Sequence, residues 1–208
     1  MKKVLFLICT GLTASALVDG QTNSIAPAEV AKPVVETLVC IRHGEKPAGG
    51  LGQLTCRGLN RALALPKVLL AKYPAPQFVF APNPAGKGDH DQYYYVRPLA
   101  TIEPTAIHCG LPVNTQFGYK QIKELEEEFQ KAAYQDATIY LAWEHTLLDD
   151  FAKDMLQTLG GDSTQVPAWP AEDYDTIFLI KITRDRGRES VAFTIDHEGL
   201  NDLSDDCP

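Results

Sequence analysis

Thr37-Leu38-Val39-Cys40-Ile41-Arg42-His43-Gly44-Glu45 is a run of apolar and β-branched residues that stops abruptly at Arg-His-Gly-Glu. The run has the pattern of a strand buried on both faces, and α/β folds bind their ligands just beyond the carboxyl ends of such strands. The residues at this end carry chemistry. Arg42 offers a planar fork of donors suited to phosphate. His43 can act as a nucleophile or an acid–base group. Gly44 lets the backbone turn sharply and come close to a ligand.

Outward from this strand, Pro47–Gly52 is a glycine-rich turn. Thr55–Tyr73 places Leu59, Leu63, Leu65, Leu69 and Leu70 at helical spacing, with Thr55 as N-cap and Pro66 expected to kink or divide the helix. Gln77–Ala81 reads as a second strand and Ala85–Tyr95 as a loop. Leu99–Cys109 reads as one or two helical turns, and Gly118–Ala133 as a long helix with an acidic, solvated face at Glu124, Glu126, Glu127 and Glu128. Thr138–Trp143 is another buried strand, followed by a helix from Thr146 to Leu159 whose Asp149 is spaced for a capping box. Asp175–Ile182 and Ser190–Ile195 flank Arg184–Gly187 as a terminal hairpin. Strands alternating with helices predict an α/β three-layer sandwich, a mostly parallel sheet with helices on both faces.

The 208-residue chain is 45% hydrophobic and 22% charged, an ordinary composition for one globular domain. Its formal net charge of -8 argues against nucleic acid or an anionic membrane as the main partner, while leaving room for a small phosphorylated molecule in a locally positive pocket. Lys2-Lys3 precede an apolar run, Val4 to Ala16, that is too short to span a membrane comfortably and ends in small residues. The expected organisation is a signal peptide over 1–20, a linker over 21–36 and a single domain over 37–208, in a protein exported to the periplasm or secreted without stable membrane insertion. Removal of Cys9 would leave Cys40, Cys56, Cys109 and Cys207, whose pairing the sequence leaves open; Cys40 reads as a buried thiol and Cys207 as a clip for the terminus. Oligomeric state is likewise open.

Arg42-His43-Gly44-Glu45 at the end of a buried strand resembles the signature of the histidine phosphatase (phosphoglycerate mutase-like) superfamily. The resemblance implies a phosphoglycerate mutase-like fold and hydrolysis of a phosphomonoester through a phosphohistidine on His43, with no cofactor and no metal. His145, after the strand Thr138–Trp143, stands where the family places a second histidine, at a helix N-terminus that attracts phosphate. Arg97-Pro98-Leu99-Ala100-Thr101-Ile102-Glu103-Pro104-Thr105-Ala106 departs from the family pattern: Thr101 occupies the position of its second phosphate-binding arginine. Arg97, one turn earlier, is the expected replacement, with a surface ion pair to Glu103, Asp89 or Asp91 as the plain alternative. Asn114 stands where mutase-like relatives carry an acid. Glu144, beside His145, is then the candidate proton donor, and Glu45 a second candidate or a brace for the pocket. The competing reading is a non-catalytic phosphate-binding or interaction protein that keeps the pocket, for which Thr101 and Asn114 speak. Tyr93, Tyr94 and Tyr95 read as the mouth of the site or as half-buried packing. Asp89-His90-Asp91 reads as a charged loop rather than a metal site.

Overall fold

The computed structural model describes residues 32–88 and 92–208. In chain order its elements are β1 (Val34–Arg42), α1 (Cys56–Lys72), β2 (Phe78–Phe80), β3 (Lys87–Gly88), β4 (Tyr93–Tyr94), α2 (Arg97–Cys109), β5 (Val113–Asn114), α3 (Ile122–Phe129), β6 (Thr138–Trp143), α4 (His145–Thr158), β7 (Thr176–Asp185) and β8 (Arg188–His197). The main sheet has the order β5-β2-β6-β1-β7-β8. β5, β2, β6 and β1 run parallel, and β7 and β8 close one edge as an antiparallel hairpin. This is the predicted mixed, mostly parallel sheet.

The period-2 alternation of strand side chains sorts the core into two halves. Leu38 and Cys40 of β1, Leu141 and Trp143 of β6 and Phe178 of β7 pack with Leu125 and Phe129 of α3 and Phe151 and Met155 of α4. Val39 and Ile41, Tyr140 and Ala142, and Ile177 pack with Leu65 and Leu69 of α1 and Ile102 and Ala106 of α2. Helices therefore cover both faces of the sheet, as the sequence pattern requires.

Several boundaries differ from expectation. β1 begins at Val34, inside the stretch assigned above to the linker, because Val34–Glu36 still pair with Arg184, Thr183 and Ile182. Residues 1–31, which carry the expected signal peptide, lie outside the described residues, as do Asp89, His90 and Asp91. Pro66 does not divide α1; the helix runs through it, with the proline ring itself buried. Far from one or two turns, α2 has 13 residues: Pro98 sits in its first turn, where no amide hydrogen is required, and Gly110 closes it in the left-handed conformation. α3 is shorter than predicted, since only Ile122, Leu125 and Phe129 are buried along it. Its sequel, Ala132–Tyr134, is a 3-10 turn. The loop Ala85–Tyr95 contains the two-rung β3–β4 ladder. The first residue of α4 is His145, and its cap is Glu144 rather than a Thr146–Asp149 box.

Cys56 at the start of α1 is disulfide-bonded to Cys207, while Cys40 and Cys109 are free thiols. Among the described residues, no helix is long and apolar enough to cross a membrane.

Leu65 is fully buried between α1 and the sheet. Leu65→Ala is expected to lower the unfolding free energy by about 2–5 kcal/mol, read from the midpoint of urea denaturation.

Candidate active site

Strand parity governs the site. Arg42 continues the side of β1 that carries Leu38 and Cys40, and His43 the side that carries Val39 and Ile41, the face covered by α1 and α2. His43 therefore meets the N-terminus of α2, where Arg97 Nε lies 3.1 Å from its Nε2. The Nδ1 of His43 is 2.8 Å from the Gly44 carbonyl oxygen. A carbonyl only accepts and the arginine Nε–H only donates, so the two contacts define one tautomer: Nδ1 carries the proton and Nε2 a lone pair. Burial, and then the nearby Arg97 and Arg42 charges, hold the imidazole well below its ordinary range, so it is neutral at physiological pH. The ring is only 1% exposed, flanked by Tyr95 and Tyr174.

Arg97 is brought beside His43 by way of the glycine-rich turn. The Gly52 carbonyl accepts the amide hydrogens of Val96 and Arg97, both at 3.0 Å, and so fixes the start of α2. Gly52 has φ +71, and a Cβ there would lie 1.9 Å from the Tyr94 carbonyl oxygen, so no other residue fits this contact without displacing the chain. The Arg97 guanidinium stacks over Tyr95, 4.4 Å from the ring centroid. Thr101, in the place of the family's arginine, is fully buried; its hydroxyl donates to the Arg97 carbonyl and accepts the Gly44 amide at 2.9 Å. It supports both neighbours of the reactive ring instead of reaching a ligand.

On the other face, Arg42 Nη1 donates to the carbonyls of Ala171 (2.6 Å) and Asp173 (2.8 Å), and its guanidinium lies 4.0 Å from the Tyr174 ring centroid. Its Nε is buried with no hydrogen-bond partner. Such an orphan donor is costly unless a ligand satisfies it. Arg42 and His145 line one cavity of about 410 Å³, together with Lys46, Gly49, Gly50 and Glu172. His145 Nδ1 lies 2.6 Å from Glu144 Oε1, close enough for an ion pair although not aligned as a hydrogen bond, so Nε2 is the ring atom open to a ligand.

The two candidate carboxyls have distinct structural partners. Glu144 caps α4, accepting the Leu147 amide at 3.0 Å and the Thr146 hydroxyl at 2.6 Å. Burial pushes its pKa up, but the contacts with His145, Thr146 and Leu147 outweigh it and hold the group at about 2. A carboxyl held this low favours the ionised form, which disfavours the proton-donor role read from the sequence. Glu45 is clamped by the buried Arg61, whose Nε and Nη2 approach it at 2.8–3.2 Å, and is a brace. Asn114 ends β5 and caps Gln116. Arg61, which sequence reasoning passed over, also pairs with buried Glu198 and donates to the Leu200 carbonyl. Its only signal was a charged residue at a core position of the α1 helical pattern. Glu172, also unmarked in the sequence, shares the cavity with Arg42 and His145. Of the three tyrosines, Tyr95 is buried against the site, while Tyr93 and Tyr94 are exposed.

No protein-family model and no curated protein matches the sequence. Solved structures do. The candidate phosphohistidine phosphatase SixA of Nakamurella multipartitia superposes with a TM-score of 0.55 over 81% of this chain and 98% of its own, at 16% identity. The candidate alpha-ribazole-5'-P phosphatase of Escherichia coli does so with a TM-score of 0.51 over 77% and 96%, at 12% identity. The chain has the histidine phosphatase fold. The three-layer phosphoglycerate mutase-like sandwich expected from Arg42-His43-Gly44-Glu45 is thus the fold observed.

Two outcomes test the geometry. The ring resonances of His43 should not titrate between about pH 8 and about pH 5.5 in an NMR series, and nitrogen shifts should report the Nδ1–H tautomer; a midpoint near 6.5 would contradict the buried, neutral ring. Gly52→Ala should displace Arg97 and lower any turnover by roughly tenfold or more while the melting temperature falls only modestly.

Proposed function

We propose that the protein is a metal-independent phosphomonoesterase working through a phosphohistidine on His43. The observation that carries this is the neutral imidazole, with Nδ1–H held by a carbonyl and the Nε2 lone pair facing a buried guanidinium. That is a nucleophile presented to the place where an anion would sit. His43 and Arg97 lie behind the lining of the cavity of Arg42 and His145, so a phosphate entering there must take over the Arg97 hydrogen bond to reach Nε2. Nε2 attacks phosphorus as the bond to the leaving oxygen breaks. Arg97, the unpartnered Nε of Arg42 and His145 stabilise the charge on the equatorial oxygens. The Gly44 carbonyl accepts from Nδ1–H as the ring becomes positive. Water then attacks phosphorus, the N–P bond breaks, and inorganic phosphate leaves. These residues supply the positive charge by themselves; among the described residues no three His, Cys, Asp or Glu side chains gather as metal ligands.

The leaving oxygen needs a proton. Glu172 is the carboxyl that lines the phosphate cavity, and the donor role first given to Glu144 is assigned to it. Export to an oxidising compartment, periplasmic or extracellular, is part of the proposal, supported by the Lys2-Lys3 and Val4–Ala16 pattern and by the Cys56–Cys207 disulfide.

The test is hydrolysis of p-nitrophenyl phosphate in EDTA. Wild type should turn over, His43→Ala should be inactive, and Arg97→Ala should lose about 10²–10³ in kcat. Equal activity of wild type and His43→Ala would exclude the mechanism, and turnover abolished by EDTA would exclude its metal independence. Glu172→Gln should slow an alkyl phosphate far more than p-nitrophenyl phosphate, whose leaving group needs little protonation. Equal slowing of both would remove Glu172 from the donor role.

A further inference from the structure

A second cavity, of about 700 Å³, lies beside the phosphate cavity and shares Lys46, Glu172 and Tyr174 with it as common walls. Its far wall belongs to the C-terminal tail, through Asn201 and Asp205, and to the first turn of α1, through Cys56 and Arg57. The tail has no secondary-structure partner there and is held by side chains. The Asn60 amide donates to the carbonyls of Ser204 (2.9 Å) and Asp206 (2.8 Å), Arg57 donates to the carbonyl of Asn201, and the Cys56–Cys207 disulfide closes the end. The wall exists because the tail is tied to α1.

The charges around this space largely cancel. Arg61 is neutralised by Glu45 and Glu198, and Arg57 lies 3.8 Å from Glu45 and 3.9 Å from Asp205. Lys46 and Glu172 remain, one of each sign. An anionic leaving group finds no net countercharge here. An uncharged, hydroxyl-bearing one finds carboxylates and carbonyls as acceptors, the Asn201 amide and Lys46 ammonium as donors, and the Tyr174 ring as an apolar surface.

Resting on the phosphatase reading, we infer that this second cavity is the leaving-group subsite, that it takes a neutral polyhydroxylated group of about sugar size, and that the Cys56–Cys207 disulfide builds it. Selectivity, unlike phosphate binding, then depends on the oxidised state of the tail.

The experiment is calorimetric binding to His43→Ala, which removes turnover. Inorganic phosphate, glucose 6-phosphate, ribose 5-phosphate and 3-phosphoglycerate are the probes. At least one sugar phosphate should bind about tenfold or more tightly than inorganic phosphate, and 3-phosphoglycerate should not. Adding Cys207→Ser should bring that sugar phosphate to within about threefold of inorganic phosphate without changing the affinity for inorganic phosphate itself. Reduction of the parent protein with dithiothreitol should do the same, with circular dichroism showing the fold retained. Sugar phosphates that bind no better than phosphate, a tighter 3-phosphoglycerate, or a sugar preference that survives both the substitution and reduction would each overturn the inference. Absent binding of inorganic phosphate would strike the phosphate-site reading instead, so the two failures are distinct.

Discussion

A strand cannot aim adjacent side chains at one face, and the site is organised around that constraint. β1 lies between β6 and β7 and is buried on both faces, so the two residues at its end are delivered into different halves of the molecule. His43 is given to the side of α1 and α2, and Arg42 to the side of α4 and the Pro170–Tyr174 segment. The contacts of the His43 ring nitrogens come from the first side and its own loop: the Gly44 carbonyl at Nδ1 and the Arg97 guanidinium at Nε2, with the Thr101 hydroxyl holding the Gly44 amide. The cavity around Arg42 is shaped by His145 and the 171–174 segment on the second side, and by Lys46 to Gly50 of the glycine-rich turn.

Arg61 joins these halves to the end of the chain. A guanidinium that is 1% exposed must be paired, and this one meets Glu45 from the site and Glu198 and Leu200 from beyond β8. Burial pushes the Glu198 carboxyl up to about 8, and the adjacent Arg61 guanidinium opposes that shift without reversing it. The close approach of α1 to the site has a steric condition as well. A Cβ on Gly58 would lie 2.5 Å from the Glu45 carbonyl oxygen, so the helix that carries Arg61 can sit against Glu45 only because position 58 has no side chain.

The parts of the fold legible in the sequence were those with strong periodicity: β1, β6, α1, α4 and the terminal hairpin. The offset of one helical turn from Thr101 to Arg97 was legible too, although the direct contact of Arg97 with His43 was not. Less legible were features that depend on who packs against whom. The extent of α2 was hidden by Pro98 and Pro104, although the first falls where a helix tolerates proline. The acidic run of α3 promised more helix than its three buried side chains support. Glu144 looked like an acid because it adjoins His145 in sequence, whereas three-dimensional contacts make it a cap and an ion-pair partner. Arg61 carried only the weak signal of a charge at a core position of α1, and Glu172 carried none, since a buried ion pair and a cavity wall are properties of distant segments brought together.

The disulfide also changes what kind of polymer this is. Cys56 and Cys207 are 151 residues apart, so most of the domain forms a covalent ring, and only the segment through β1 to the glycine-rich turn enters from outside it. Closing a ring of that size removes unfolded-chain entropy worth on the order of 4–5 kcal/mol in the simplest polymer estimate. It also means that a peptide bond cut anywhere between the two cysteines yields a nicked molecule that keeps both fragments joined. Proteolytic damage in an oxidising medium would then leave the two fragments travelling together until a reductant separated them.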